Sequence, residues 1–264
     1  MIIVGIVLLA LAGLLLFLRK KQQDQLLEIK FVKTSTVAEL ADLQKSIAAE
    51  IGPGGFRQQA EVKGVCRCDT PLKGELSGQD CVYYSMSVSE RYEETYTETD
   101  SQGRSSTRTR TSTTVVTSNT QAVRFSLDDG TGSITVDTAG ASVDAVSVVN
   151  KYEPYRAGMT GLQFGGFTFS LGGFGGSGRR VLGYEYHESI IPLGRQLYIL
   201  GDACDTGGEL AMVLPQEKGK PFIVSVKSEE ELTRGKESAV KWMFVGAIVS
   251  AVAGLALIIA GALK

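Results

Sequence analysis

The chain has 264 residues, a formal net charge of −2 at neutral pH and 43% apolar residues. That length holds one medium domain with appendages. The near-neutral balance excludes a global field that would recruit nucleic acid or an acidic surface, so the information lies in where the apolar residues fall.

Residues 1–18, MIIVGIVLLALAGLLLFL, carry no charge. As a helix they span roughly 27 Å, close to a hydrocarbon core. Residues 242–263, WMFVGAIVSAVAGLALIIAGAL, are also uncharged, span about 33 Å and are bracketed by Lys241 and Lys264. Both runs predict transmembrane helices. A cleaved signal peptide competes for the first, because Ala10-x-Ala12 offers a cleavage-like triplet. A basic leader is missing, however, and the apolar run continues through Leu18. Arg19, Lys20, Lys21, Lys30 and Lys33 follow the first run, and Lys227, Arg234, Lys236 and Lys241 precede the second. The positive-inside rule then predicts a two-pass protein of the cell (inner) membrane with residues 19–241 in the cytoplasm. Gly246, Ser250 and Gly254 recur every four residues, and Gly5, Ala12 and Gly13 lie two turns apart in the first run. These small-residue faces are expected to touch, within a chain or between chains.

Residues 19–35 read as a helical extension or linker. A β-rich domain is expected over 36–227. It opens on an amphipathic helix, in which Thr36 and Glu39 form a capping box and Val37, Leu40, Leu43, Ile47 and Ile51 repeat at helical spacing. Gly52, Pro53 and Gly54 stop it. Then come AEVKGVCRC, CVYYSMSVSERY, AVRFSL, GSITVD, VLGYEYHES, RQLYILGDA, AMVL and FIVSV, short runs rich in β-branched and aromatic residues. They predict an α+β protein whose antiparallel sheet curls into a barrel or sandwich. Asp129-Gly130 and Gly132 mark a strand–turn–strand. Residues 228–241 return to helix, with acids in the first turn that suit its dipole, and run on into the second span.

Two segments interrupt this plan. In 92–120, Glu93, Glu94, Glu98 and Asp100 precede Gly103, and Arg104, Arg108 and Arg110 follow it among threonines. A long polar hairpin with cross-strand charge pairs is expected; a Ser/Thr loop is the alternative. In 161–180, Gly173-x-Gly175-x-x-Gly178 has the spacing of a dinucleotide-binding turn. A strand pattern follows where a helix is required, and Arg179-Arg180 replaces the Lys-Ser/Thr of a P-loop, so no cofactor is expected. Phe164, Phe167, Phe169 and Phe174 instead predict a loop that meets lipid, a neighbouring subunit or a surface groove, with Arg179 and Arg180 near lipid phosphates.

Cys66, Cys68, Cys81 and Cys204 fit zinc spacing badly and are expected as thiols, with Cys66 and Cys68 sharing one strand face. His187 would share a face with Glu185 and Ser189, and no nucleophile elbow marks a triad. No catalytic or metal-binding residue is predicted.

Val62-x-Gly64-Val65, Cys81-Val82-Tyr83-Tyr84, Asp128-Asp129-Gly130-Thr131-Gly132 and Leu193-Gly194-x-x-Leu197-Tyr198-x-Leu200-Gly201 occur in that order. Together they resemble the GIDE domain, also called the beside-a-membrane domain, over about residues 36–226 and both spans. The resemblance implies a domain held between two transmembrane helices, as in a mitochondrial E3 ubiquitin ligase and in similar bacterial proteins. In the ligases a RING finger follows the second span and supplies the transfer activity. No RING pattern occurs in this chain, so no ligase residue carries over and a prokaryotic, RING-less relative is expected. Mitochondrial members place the domain in the intermembrane space, which conflicts with the cytoplasmic assignment from charge. The expected role is a binding or scaffolding module at the bilayer, with a protein partner or a second copy. An E3-like accessory needing a catalytic partner in trans is the alternative. An OB-like nucleic-acid binder is a third reading. It is disfavoured because Arg104, Arg108 and Arg110 stand on a threonine hairpin without aromatics.

Overall fold

Two helices long and apolar enough to cross a membrane bracket a strand-rich body. The computed structural model describes residues 2–100, 102–156, 161–164, 167–170, 179–206 and 208–262. The first apolar run and its polar extension form one helix, α1 (Ile2–Phe31). The second apolar run and the polar run before it form another, α3 (Glu229–Ala262). Ser228 starts α3 with a capping box: its hydroxyl accepts from the Glu231 N–H, and the Glu231 carboxylate accepts from the Ser228 N–H. The two helices pack antiparallel. Arg19 lies over the Phe244 ring, and Lys30 pairs with Glu237. Their polar halves, residues 19–31 and 229–241, make a stalk about 20 Å long.

Between them lie α2 (Val37–Ile51) and fourteen strands. In chain order these are β1 (Arg57–Arg67), β2 (Leu72–Lys73), β3 (Asp80–Thr99), β4 (Ser105–Ala122), β5 (Phe125–Asp128), β6 (Ser133–Val136) and β7 (Ser142–Asp144). There follow β8 (Val146–Pro154), β9 (Gly161–Phe164), β10 (Phe167–Ser170), β11 (Arg179–Pro192), β12 (Gln196–Thr206), β13 (Glu209–Val213) and β14 (Ile223–Ser225).

Five strands close a ring, β1–β5–β6–β13–β12 and back to β1, antiparallel except for the β6–β13 contact. Counted along the chain the ring runs first, second, third, fifth, fourth, the order of an OB-type Greek-key barrel. Its interior is aliphatic: Val62, Leu127, Ile134, Val136, Ile199 and Met212 are buried there, and Val37 and Leu40 of α2 seal one end. Closure requires the glycine of the Val-x-Gly-Val motif, since a Cβ on Gly64 would lie 2.7 Å from the Asp128 carbonyl oxygen. The Asp-Asp-Gly-Thr-Gly turn also acts on α2. Asp129 accepts from the Val37 N–H at 2.7 Å, and the Thr131 hydroxyl accepts from Ala38. Burial opposes ionisation of Asp129, yet the N–H groups of Val37, Thr131 and Gly132 hold its pKa below the usual carboxylate value. β14 adds to β12 beside β13, and β7 adds in parallel to β14.

A half-barrel grows from two ring connections. β2, β3 and β4 lie between ring strands β1 and β5, and β8 and β11 lie between β6 and β12. β4 and β2 pair one edge of β3, β11 pairs the other, and β8 closes the row. Its interior holds Met86, Val88, Ile190, Tyr84, Tyr184 and Tyr186. The polar segment around Gly103 is the far part of the β3–β4 hairpin, with Glu94 opposite and bonded to Arg110. The run CVYYSMSVSERY is therefore only the inner part of a 20-residue strand. The barrel alternative of the expected architecture is the one found, with the half-barrel beside it.

Candidate functional site

The stalk lands on the ring. Ile29 of α1 packs with Tyr198, Leu200 and Ile223, and Val32 and Leu232 flank them. On β1, Ala60 and Val62 point into the ring, so alternation sends Glu61 outward. Glu61 is nevertheless only 1% exposed, because the stalk covers that face. It accepts from the Thr34 hydroxyl and, at 3.0 Å, from the Tyr198 hydroxyl. Lys63 lies 3.0 Å from Glu61 and donates to Glu229, in the first turn of α3, at 2.9 Å. Burial pulls the Lys63 pKa down, but the bonds and charges of Glu229 and Glu61 outweigh it and the net direction is up. Burial, then the Glu61 charge, pushes the Tyr198 hydroxyl up. One covered carboxylate thus ties the segment after α1, two ring strands and the start of α3. Beside it a cleft of about 310 Å³ is lined by Lys63, Arg195, Tyr198, Lys227 and Glu230.

The other end of interest is where β11 begins. Arg179 forms an ion pair with Glu90, which is 2% exposed, and its guanidinium lies 3.6 Å from the centroid of Tyr92. The Tyr184 hydroxyl donates to the same carboxylate at 3.2 Å. Arg179 is therefore committed to the half-barrel. Arg180, with its side chain 81% exposed, lies 3.6 Å from Glu93. Backbone pairing sets Phe167 opposite Phe164 and Phe169 opposite Leu162 in the small β9–β10 sheet, which among the described residues pairs with neither larger sheet. Phe174 and the glycines 173, 175 and 178 lie outside the described residues.

Among the small residues of the helices, a Cβ on Gly5 would sit 2.7 Å from the Gly254 carbonyl, and one on Gly254 would sit 2.9 Å from that of Gly5. These two form a close backbone contact within the chain. Gly246 faces Leu15 more loosely, Ser250 is half-buried, and Gly13 faces open space.

Cys66 and Cys81 are buried and Cys68 half-buried; all four cysteines are thiols. Burial, with a smaller contribution from Cys68, pushes Cys66 up to about 12. Burial, Glu188 and Asp80 push Cys81 up to about 11. Such thiols are poor nucleophiles at neutral pH. Among the described residues no three His, Cys, Asp or Glu side chains gather as a metal site. His187 is exposed on the outer face of β11.

Sequence reading missed four buried carboxylates among the described residues: Glu61, Glu90, Glu188 and Asp202, the last paired with Arg57. Glu188 accepts from the Leu76 and Ser77 N–H groups at 2.7 and 2.9 Å and holds the β2–β3 turn onto β11. Alternation carried a signal for it, since Glu188 shares the inward face with Tyr184, Tyr186 and Ile190.

A family model described as GIDE, E3 ubiquitin ligase, matches residues 93–259, more than half of the chain. The range runs from the outer part of β3 through the remaining strands into the apolar half of α3, leaving α1, α2, β1, β2 and the start of β3 outside it. No curated protein and no solved structure matches.

Proposed function

The chain belongs to the GIDE family, and from that premise we propose that it is a membrane scaffold whose half-barrel binds a second copy of itself or another protein. The observation that carries this reading is the outer edge of β4. Among the described residues no strand pairs with it. Residues 111–122 of this edge contain no charge, and Val115 is 59% exposed. Native sheets blunt such edges with lysine, proline or a cover, and an unblunted one accepts another strand by main-chain hydrogen bonding. One register shift, at Val88/Ser89, interrupts it. Tethering by two helices keeps copies close at high effective concentration. Phe164, Phe167, Phe169 and Arg180 would add a second contact, to a neighbour or to lipid. The charge flanks favour the cytoplasmic face of the inner membrane for residues 19–241. This reading assigns the domain no chemistry and no nucleic-acid ligand.

The test is oxidative crosslinking of the full chain in native membranes, with single cysteines placed at Thr113, Val115 and Ser118 after the native four are replaced. A homodimer is expected at these positions, and Val115→Lys should abolish it at its neighbours. Monomer at every position, with no adduct to another protein, would sink the scaffold reading. The family's description as an E3 ubiquitin ligase favours a second reading, an accessory that acts with a catalytic partner in trans; an adduct with a transferase in place of the homodimer would select it.

A further inference from the structure

Two contacts fix the register of the helix pair: Arg19 against the Phe244 ring at 4.4 Å, and Gly5 against Ile258 and Gly254. In that antiparallel register Arg19, Lys20, Lys21 and Gln22 stand level with Phe244, Met243, Trp242 and Lys241. This is the height at which both helices change from apolar to polar. Residues from opposite ends of the sequence thus form one collar around the helix pair. The collar holds four cations and no carboxylate. Lys20, Lys21 and Lys241 are exposed.

Among the described residues none of the four cations is ion-paired, whereas Lys63, Lys73, Lys151 and Lys227 of the body each meet a carboxylate. The Arg19 Nε is buried without a hydrogen-bond partner. The nearest acids along the helices with described side chains are Asp24, one turn up α1, and Glu237, one turn up α3 and already engaged by Lys30. Just below the collar Phe17 is 68% exposed, and within it Trp242 is 71% exposed, an amphipathic ring at the height where headgroups meet acyl chains. Cations without counterions above an apolar belt match the chemistry of a phosphate on an acyl chain.

We propose that this collar is a binding site for anionic phospholipid headgroups, with Arg19, Lys20, Lys21 and Lys241 donating to the phosphate oxygens and Trp242 and Phe17 against the upper acyl chain. The inference rests on α1 and α3 crossing a bilayer. It is independent of the β4 edge, so crosslinking that yields only monomer leaves it standing.

The test reconstitutes the full chain into phosphatidylcholine vesicles and compares the immobilised fractions of spin-labelled phosphatidylglycerol and spin-labelled phosphatidylcholine. The anionic label is expected to associate about tenfold more strongly. That preference should collapse at about 1 M salt, where the Debye length is about 3 Å. It should vanish in the combined variant Arg19→Gln, Lys20→Gln, Lys21→Gln, Lys241→Gln, and persist in Lys33→Gln, Lys218→Gln, which removes charge elsewhere. Equal association of both labels with the wild type, or an undiminished preference in the combined variant, overturns the site. Should the combined variant fail to insert, Lys20→Gln, Lys21→Gln supplies the comparison: a reduced preference supports the site and an unchanged one overturns it.

Discussion

The ring around Leu127 and the half-barrel around Tyr186 end their edges differently. Around the ring each strand pairs with the next, and the interior is built from Val62, Leu127, Ile134, Val136, Ile199 and Met212, with Cys66 the most polar side chain among them. The half-barrel leaves one edge of β4 and one edge of β8 unpaired among the described residues. Its interior mixes Met86, Val88 and Ile190 with tyrosines and with Glu90 and Glu188. A buried carboxylate is tolerated only when its lone pairs are answered. Arg179 and Tyr184 answer Glu90, and two backbone N–H groups answer Glu188. Apolar burial holds the ring, whereas the half-barrel also depends on specific polar partners. Two regions of one sheet-rich body therefore fail under different insults.

The largest expected effect is in the ring. Leu127 is fully buried at its centre. Leu127→Ala should lower stability by about 2–5 kcal/mol, as large-to-small changes in packed cores do. The measurement is the denaturant midpoint of the full chain in detergent, read together with amide exchange. The start of β3 and the end of β11 are rooted near the ring, where Val82 and Ile191 join its core, so exchange protection should fall in both regions. Loss of protection in the ring alone would show that the half-barrel stands by itself.

The next effect is in the half-barrel. Glu188→Gln keeps the volume but replaces one acceptor oxygen with an amide that faces an N–H group. Hydrogen bonds to a charged group contribute about 1.5–3 kcal/mol, and a loss of that size is expected. Protection should fall in residues 74–81 and in β11, while β1 and β12 keep theirs. A uniform loss through the ring would erase the distinction between the two regions.

The ring and the half-barrel were unequally legible in the sequence. Both long apolar helices, the Thr36–Glu39 cap of α2 and the turn at Gly130 are local signals carried by adjacent residues, and the structure has all of them. Ring closure is not local. β1 finds β12 with Ala60 opposite Gly201, and no pattern within either strand names the other as partner. β7 and β8 carry no strand signature, because Asp144 and Asn150 break the alternation around Val143, Val146, Val148 and Val149. Glu61 was illegible for a different reason. It faces outward from the ring as a strand carboxylate should, and only docking of the stalk buries it. Arg179 read as a surface cation because its partner, Glu90, lies on a strand far away in sequence.

The two regions also hold thiols whose responses to pH separate them. Cys66 in the ring is raised to about 12 by burial with a small push from Cys68, and Cys81 in the half-barrel is raised to about 11 by burial together with Glu188 and Asp80. A raised pKa means that folding favours the neutral thiol. The stabilisation is complete below the unfolded cysteine pKa of about 8.5 and is lost as pH climbs toward the folded value. At about pH 9.5, one unit above the unfolded value, each thiol should account for about 1.4 kcal/mol of lost stability. Cys66→Ala and Cys81→Ala each change stability at every pH, but what is read is the slope of stability against pH between about 8.5 and 11, which should flatten in both. The Coulombic share distinguishes them. Glu188→Gln should bring the Cys81 transition down in pH and leave that of Cys66 in place, because the barrel thiol has no carboxylate among its causes. A Cys66 transition that moves with Glu188 would mean that the two interiors share one electrostatic environment, and the contrast between the apolar ring and the polar half-barrel would fall.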